Sequence, residues 1–553
     1  MFKSIDYSNF NSLEDLNKYL VENNLIQPQS NVITETAVED KLDKNSKSIK
    51  RNFLDKREVI YAEQIKEYFN IFKHIILLTN NRDPKDNKTL ATILDAVKNL
   101  KSDKNKITPK LHVFVADEIE FDEDTNHLII RDSKDEYTIQ DESNIDTLVI
   151  TRLGVLGEDN CEHVIQILQD RGFLVLNPVR LAKLASNKYE TAVLLDKAGL
   201  PQPNFCLMTK DNLYDEKSLK TNLKSIYKDW GKDEEKDKER EFVVKILDGH
   251  GGTGVMLLNG KNMKAVLQTI FAIDPEISLI IQKKEEADGG DIRVHVLTLR
   301  NKQVILAAMK RIKLSGGDFR SNISLGATAE KVKLTPEQEQ IALAAAEVSK
   351  LPWCAVDIMP LVKGSNKEIG DNVILELNAS PGTDGISDVI DENFINILLN
   401  ELDNPNEFFI QEKTAGYIET VDLVMKEGED KITMTAKLDT GNGSDASTIE
   451  VSKLEVNGKK VKATILDKVY EYDLVRISTP IVGTEKHERH VVVIPEIRVG
   501  LRKLVNVEVA LVDNRNKSTN VLLNRDLISR LGYVINCNDK FILTPENDKL
   551  KIK

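Results

Sequence analysis

Two stretches decide the fold: Cys354-Ala355-Val356-Asp357-Ile358-Met359 and Val373-Ile374-Leu375-Glu376-Leu377-Asn378. Each is an apolar run of strand length bounded by polar or Gly-containing segments. Side chains at i and i+2 of a strand share a face, so Glu376 and Asn378 emerge side by side. Two carboxylates and an amide oxygen are hard ligands, suited to a Mg²⁺ ion that keeps its other positions for water and phosphate oxygens. One polar residue at a strand end is commonplace. Three oxygen ligands in otherwise apolar strands are not, because an unpaired buried charge is costly. The pattern predicts a metal–nucleotide site with Asp357, Glu376 and Asn378 as ligands.

Upstream, Phe242-Val243-Val244-Lys245-Ile246 reads as a strand leading to a glycine-rich turn, Gly249-His250-Gly251-Gly252-Thr253-Gly254, with a second strand at Val255–Leu258. Glycines let backbone N–H groups approach phosphate oxygens without intervening side chains. Gly251, Gly252 and Gly254 are therefore phosphate-contact candidates, and Lys245 supplies positive charge to the same groups. The turn is not a Walker A loop: no Lys-Ser/Thr follows it, and the next element reads as a strand.

The bulk properties bound the rest. At 553 residues the chain holds three or four domains of roughly 100–200 residues, and 41% hydrophobic with 30% charged residues fits a soluble globular protein. A formal net charge of −13 argues against a dedicated nucleic-acid binder. No apolar run reaches the roughly 18 residues of a membrane span, and the polar start Met1-Phe2-Lys3-Ser4 lacks a signal-peptide core. Cys161, Cys206, Cys354 and Cys537 show no CxxC spacing, so neither a disulfide framework nor a cysteine zinc site is suggested. A cytoplasmic location is expected.

Residues 1–70 read as a polar extension, partly disordered, with a helical pattern over Val59 to Phe72. Alternating strands and helices over 71–183 (His74–Thr79, Thr89–Leu100, Leu111–Val115, Leu148–Thr151, Glu162–Arg171, Phe173–Leu176) predict a small, mostly parallel α/β domain. A mixed α+β region follows over 184–400, in which the charged run Lys232 to Glu241 reads as an exposed loop insertion. Residues 401–416 read as a linker. Short β-rich runs then recur over 417–548 (Lys431–Leu438, Lys460–Leu466, Val491–Pro495, Val505–Leu511, Phe541–Leu543), predicting a mostly-β domain.

Several segments in order across residues 74–395 resemble the ATP-grasp fold, and in particular the RimK-type amino-acid ligases. They are Asn187-Lys188, Val244-Lys245 with the glycine turn, Ile280-Ile281-Gln282, Asp291-Ile292-Arg293, Gly317-Asp318-Phe319-Arg320-Ser321-Asn322, Ala355–Ile358 and Glu376-Leu377-Asn378-Ala379-Ser380-Pro381-Gly382. The resemblance implies a pre-ATP-grasp domain over 71–183 and an ATP-grasp domain over 184–400. It implies nucleotide contacts from Lys188, Lys245, the glycine turn, Gln282 and Lys283, and magnesium on Asp357, Glu376 and Asn378, with Mn²⁺ as a substitute. Arg293 and Arg320 would act at the activated carboxylate, with Lys310, Arg311, Ser321 and Asn322 binding substrate. Asn187 departs from the family, which carries Asp before the lysine, and the hinge after Gln282 is about one residue short, leaving Glu285 and Glu286 both open as the ribose partner.

In the last region, Ala436-Lys437-Leu438-Asp439-Thr440-Gly441 sets Asp-Thr-Gly directly after a β run, and Val521-Leu522-Leu523-Asn524 follows much later. With Glu488–Val492 and Val512–Arg515, these segments resemble a retropepsin-like aspartic protease, more narrowly the RimK-associated family named ATP-dependent zinc proteases. The resemblance implies a catalytic Asp439. Two carboxylates must share a proton in such enzymes, so a single Asp-Thr-Gly implies a homodimer or higher oligomer. Asn442 and Asn524 depart from the small residue and Gly usual there, and His487-x-x-His490 offers no evident third zinc ligand. The leading expectation is an ATP- and Mg²⁺-dependent carboxylate–amine ligase adding an amino acid such as glutamate to a protein, peptide or small acceptor, fused to an aspartic peptidase domain. The alternative is a peptidase or peptide-binding protein whose ATP-grasp region senses nucleotide.

Overall fold

The computed structural model describes residues 57–62, 71–79, 85, 88–99, 109–114, 119–121, 128–131, 136–139, 146–152, 161–248, 254–300, 302–312, 328–363, 371–404, 407–408, 413–429, 431–482, 485–513 and 519–544. The chain falls into two units, 1–56 and 57–553, and the first lies outside the described residues. Where a helical pattern was expected from Val59, Ile60–Tyr61 instead forms a parallel edge strand on Gln303–Ile312. Arg57 pairs there with Glu347. The gain from sheet pairing outweighs a weak local helical preference.

The first domain is a four-stranded parallel sheet in the order Lys110–Phe114, His74–Thr79, Thr147–Arg152, Leu174–Leu176. Ile75 to Leu78 and Leu148 to Ile150 are fully buried, as continuous apolar runs must be in a sheet covered on both faces. Helices Lys88–Asn99 and Cys161–Asp170 follow the strands they were expected to follow.

Two sheets form the next region, antiparallel but for the edge strand Ile60–Tyr61. The smaller runs Val255–Asn259, Glu241–Ile246, Leu279–Lys283, Phe205–Met208; the larger runs Ile60–Tyr61, Gln303–Ile312, Asp291–Thr298, Trp353–Pro360, Asn372–Asn378, with Thr328–Lys331 also paired to Gln303–Ile312. One face of the larger sheet packs against helix Pro336–Ser349. Thr335 and Gln338 form a capping box and Pro336 occupies the first turn, while Lys350 ends the helix in the left-handed region. Its Ile341-Ala342-Leu343-Ala344-Ala345-Ala346 run is fully buried, the small side chains allowing close approach to the sheet. Gln338 Nε2 donates to Asn372 Oδ1 at 2.9 Å and ties the helix to the strand that carries Glu376.

The charged run Lys232 to Glu241 is not an exposed loop. Glu234–Glu239 is a short helix capped by Asp233, and Glu241 opens a strand. Asp237 and Arg240 are buried, with Asp237 accepting from Gly231 N at 2.6 Å and Arg240 stacked 4.6 Å from the Tyr227 ring centroid. A charged composition conceals this because Tyr227, Asp229 and Gly231, which engage these two residues, lie outside the run.

In the last region Ile418–Val424, Ile432–Leu438, Val521–Leu523, Ser447–Glu450, Arg502–Val512 and Arg489–Val499 form a closed sheet, the final strand pairing back to the first. The result is a small barrel with Val421, Ala436, Ile449, Ile494 and Val509 inside. The expected linker ends in a strand, Lys413–Gly416, parallel to Tyr533–Asn536. Phe541–Leu543, expected as a strand, is irregular: Phe541 has φ +56°, and the buried Glu419 carboxylate accepts from Ile542 N and Leu543 N at 2.9 and 3.1 Å. Among the described residues no helix is long and apolar enough to cross a membrane.

Candidate active site

Residues directly opposite one another in an antiparallel pair point to the same side of the sheet. The register sets Arg311 opposite Asp291, Arg293 opposite Asp357, Asp357 opposite Glu376, and Ala355 opposite Asn378. One face of the larger sheet therefore carries Asp291, Arg293, Arg311, Asp357, Glu376 and Asn378 together. The turn delivering Asp291 depends on Gly290, whose φ is +127° and where a Cβ would lie 2.1 Å from the Arg311 carbonyl oxygen.

Asp357 is 1% exposed. Arg293 donates Nε to Oδ1 at 2.8 Å and Nη2 to Oδ2 at 2.7 Å, and Arg311 Nη2 donates to Oδ2 at 2.7 Å. Arg311 also forks onto Asp291 at 2.6 and 2.8 Å. Burial pushes the Asp357 carboxyl up, but the two guanidinium groups more than reverse this and hold it well below the usual carboxylate range. Glu376 differs. It is half-buried and makes no hydrogen bond or ion pair among the described residues. Asn378 Oδ1 accepts from Ser380 N at 2.9 Å.

The smaller sheet faces this array. Its strand Glu241–Ile246 buries Phe242 and Val244 in its own core, so the alternation turns Val243 and Lys245 the other way, with Gln282 paired beside Val243. The Lys245 ammonium has no hydrogen bond among the described residues; burial lowers its pKa, the Glu376 and Asp357 carboxylates oppose that, and Lys188 reinforces it. Lys188 starts helix Lys188–Lys197, capped by Asn187 accepting from Tyr189 N and Glu190 N. Its backbone N–H donates to Leu247 O at 3.0 Å, and its pKa is also lowered by burial against Glu376 and Asp248. Two ammonium groups thus converge on one carboxylate. Gly254, at φ +72°, has a Cβ position only 2.4 Å from the Ile246 side chain, so this turn excludes larger residues.

The expected site residues do not all share this cleft. Lys310 is opposite Ile292 and Lys283 opposite Phe242, so strict alternation turns Lys310 away from Arg311 and Lys283 away from Lys245 and Gln282. Lys283 pairs with the buried Glu285 at 2.9 Å, while Glu286 is exposed. Arg311 is 5% exposed and engaged by two carboxylates, a framework position rather than an open substrate contact. Gly251, Gly252, Arg320, Ser321 and Asn322 lie outside the described residues. Asp439 is in the barrel, where its N–H donates to Leu523 O at 3.0 Å and Lys437 Nζ stands 3.5 Å from its carboxylate. Asn524 caps helix Arg525–Arg530 and also donates to Ser444 O at 2.7 Å.

Sequence reasoning missed Asn177. It is 1% exposed and clamps the cleft floor: Nδ2 donates to Trp353 O and Ala379 O at 2.5 and 2.6 Å, and Oδ1 accepts from Trp353 N at 2.9 Å. Partners 176 and 202 positions away leave no local signal. His295 was also missed. Two residues from Arg293 on the same face, it is fully buried between Trp353 and Phe394, with both ring nitrogens unpartnered among the described residues. Burial pushes its pKa down to about 3. Below the ordinary value near 6.5 the unfolded chain binds a proton that the folded one refuses, so stability falls as pH drops from 6.5 towards 3. His295→Phe should flatten the decline of the thermal midpoint over that window; an unchanged decline would exclude this histidine as its source.

The donors fit a magnesium ion. Glu376 and Asp357 are adjacent hard oxygens and Asn378 supplies an amide oxygen. Among the described residues no cluster of three or more His, Cys, Asp or Glu side chains could hold a metal, so a cation here would take its remaining ligands from phosphate and water.

Residues 185–402 match the family described as RimK-like ATP-grasp domain. The chain is 38% identical over 171 residues to a probable alpha-L-glutamate ligase of Vibrio atlanticus, covering 30% of this chain and 52% of that protein. It is 32% identical over 175 residues to the corresponding protein of a Marinomonas species, covering 32% and 54%. The chain thus spans about half the length of these curated relatives. The structure of D-alanyl-alanine synthetase A from Vibrio cholerae overlaps 61% of this chain and 94% of that one at 14% identity and TM-score 0.40, too weak a likeness to bear on the fold.

Proposed function

We propose that the chain is a cytoplasmic carboxylate–amine ligase that uses ATP and magnesium and works through an acylphosphate, joining an amino acid such as glutamate to a protein, peptide or small acceptor. The observation that carries this is the single face bearing Asp357, Glu376, Asn378 and Arg293, opposed by Lys245 and Lys188. Glu376, Asn378 and Asp357 would hold the ion, which when bound neutralises charge on the transferring phosphoryl group. Lys188 and Lys245 hold the nucleotide phosphates, and the apolar flank of Val243 beside Gln282 accepts the adenine. Arg293, kept in place by Asp357, presents its remaining N–H groups to the carboxylate being activated. An oxygen of that carboxylate takes the γ-phosphoryl group and ADP leaves; an amine then attacks the acyl carbon and phosphate departs. Fixed cations aimed at the developing charge supply the rate. Incubation with ATP, Mg²⁺ and a panel of amino acids and peptides should give amino-acid-dependent ADP and a product heavier by one residue. Release of ADP indifferent to every addition would contradict it.

For the barrel we propose a retropepsin-like peptidase role in which two chains each contribute Asp439. The position of Asp439 at a strand end, bonded to Leu523 O, supports this. Asp439→Asn should then abolish cleavage of a peptide library while leaving ADP release untouched. Cleavage unchanged in that variant, or a strictly monomeric active protein, would remove the proposal.

A further inference from the structure

Arg152 is a half-buried cation near the cleft with no counter-charge among the described residues. It ends the strand Thr147–Arg152, and the carboxyl ends of parallel strands are where open α/β sheets collect ligands. Its guanidinium lies over Trp353, 4.6 Å from the ring centroid. Nη1 donates to Ser380 Oγ at 2.8 Å, two residues beyond Asn378. Nε and Nη2 are shielded from water and have no hydrogen-bond partner among the described residues, and neither has the Trp353 indole N–H. Among the described residues no carboxylate lies against it, and burial is what acts on its charge. A guanidinium keeps its proton, and leaving its donors unpaired is costly. That cost is relieved when an anion arrives. The Ser380 hydroxyl, on an exposed residue, stands where an anion's oxygen would sit.

We infer that Arg152 and Ser380 form a carboxylate-recognition subsite for a reactant of the ligase reaction, the carboxylate displacing the Ser380 hydroxyl to take Nη1 and Nη2 as a bidentate pair. Planar forked pairing is what distinguishes arginine from lysine at such a site. The role is recognition rather than chemistry, and it rests on the ligase reading above. Two sources could supply the carboxylate: the free amino acid or the end of a peptide acceptor.

Calorimetric titration of the full chain, loaded with magnesium and a non-hydrolysable ATP analogue, separates them. The probes are L-glutamate against L-glutamine and L-isoglutamine, and an acidic peptide with a free against an amidated C-terminus. One pair should show a preference of about 10–100-fold for the free carboxylate, and the pair that does so identifies the source. Arg152→Gln should erase that preference, and Arg152→Lys should restore only part of it. Variants that lower the thermal midpoint yet keep the preference would show that Arg152 merely joins the first domain to Trp353, overturning the inference. Nucleotide binding without any carboxylate preference in the wild type would overturn it too, leaving the ligase reading intact. Failure of the wild type to bind the nucleotide would instead sink that reading, and the subsite with it.

Discussion

Glu376→Ala should lower ATP-dependent turnover about a thousandfold while leaving the fold nearly untouched. Removing one preorganised charge from a phosphoryl-transfer site costs on the order of 3–4 kcal/mol of transition-state stabilisation. Stability is another matter. Glu376 is half-buried and makes no hydrogen bond or ion pair among the described residues, so its loss breaks no contact. Its absence also removes from Lys188 and Lys245 the carboxylate that most offsets their burial, which should shift nucleotide affinity as well as kcat. Steady-state ADP release and a thermal melt on the same preparation check both halves. Turnover within about threefold of wild type would remove Glu376 from the metal set.

Asp357→Ala should behave differently, losing stability and activity together. Arg293 and Arg311 both donate to this carboxylate from the same sheet face. Deleting it leaves one guanidinium with no anion and the other with Asp291 alone. Breaking a buried charge network by removing one partner costs about 3–5 kcal/mol, a fall in thermal midpoint on the order of 10 °C. Asp357→Asn, which keeps an acceptor but not the charge, should fall between. Acid should not mimic the deletion under mild conditions. A carboxyl held below the usual range contributes stability that is present above that range and lost only as pH falls through its lowered value. Destabilisation between pH 6.5 and 4 therefore belongs to the buried histidines, His295 and His112, and not to Asp357. A melt of Asp357→Ala indistinguishable from wild type would mean the two arginines are not held as described.

The cleft was legible where chemistry and alternation coincide. Asp357, Glu376 and Asn378 stand out because carboxylates and an amide interrupt apolar strands at i, i+2 spacing, and the register sets Asp357 opposite Glu376. Lys245 was legible from its place on a strand four residues before the glycine-rich turn. Register itself was not legible: which strand lies beside Asp291–Thr298 depends on contacts tens of residues apart, so the capture of Arg311 by Asp291 left no local trace. Lys310 and Arg311 were grouped as site residues, although neighbours on a strand cannot share a face. Asn177 and Arg152 were missed because each acts across the boundary between the first domain and the larger sheet. Their position at or just after the ends of parallel strands was the one available signal. In the barrel, the Asp-Thr-Gly segment was visible, but its closure depends on Ile418–Val424 meeting Arg489–Val499, a pairing no short motif encodes.

The identity of the nucleotide product tests the central claim most directly. With the full chain, ATP, Mg²⁺, an amino-acid mixture and a peptide acceptor, carboxylate activation through an acylphosphate predicts ADP and phosphate formed in step with a new amide, and neither in Glu376→Ala. Release of AMP and pyrophosphate, or ADP formed at the same rate with no amide product, would contradict it.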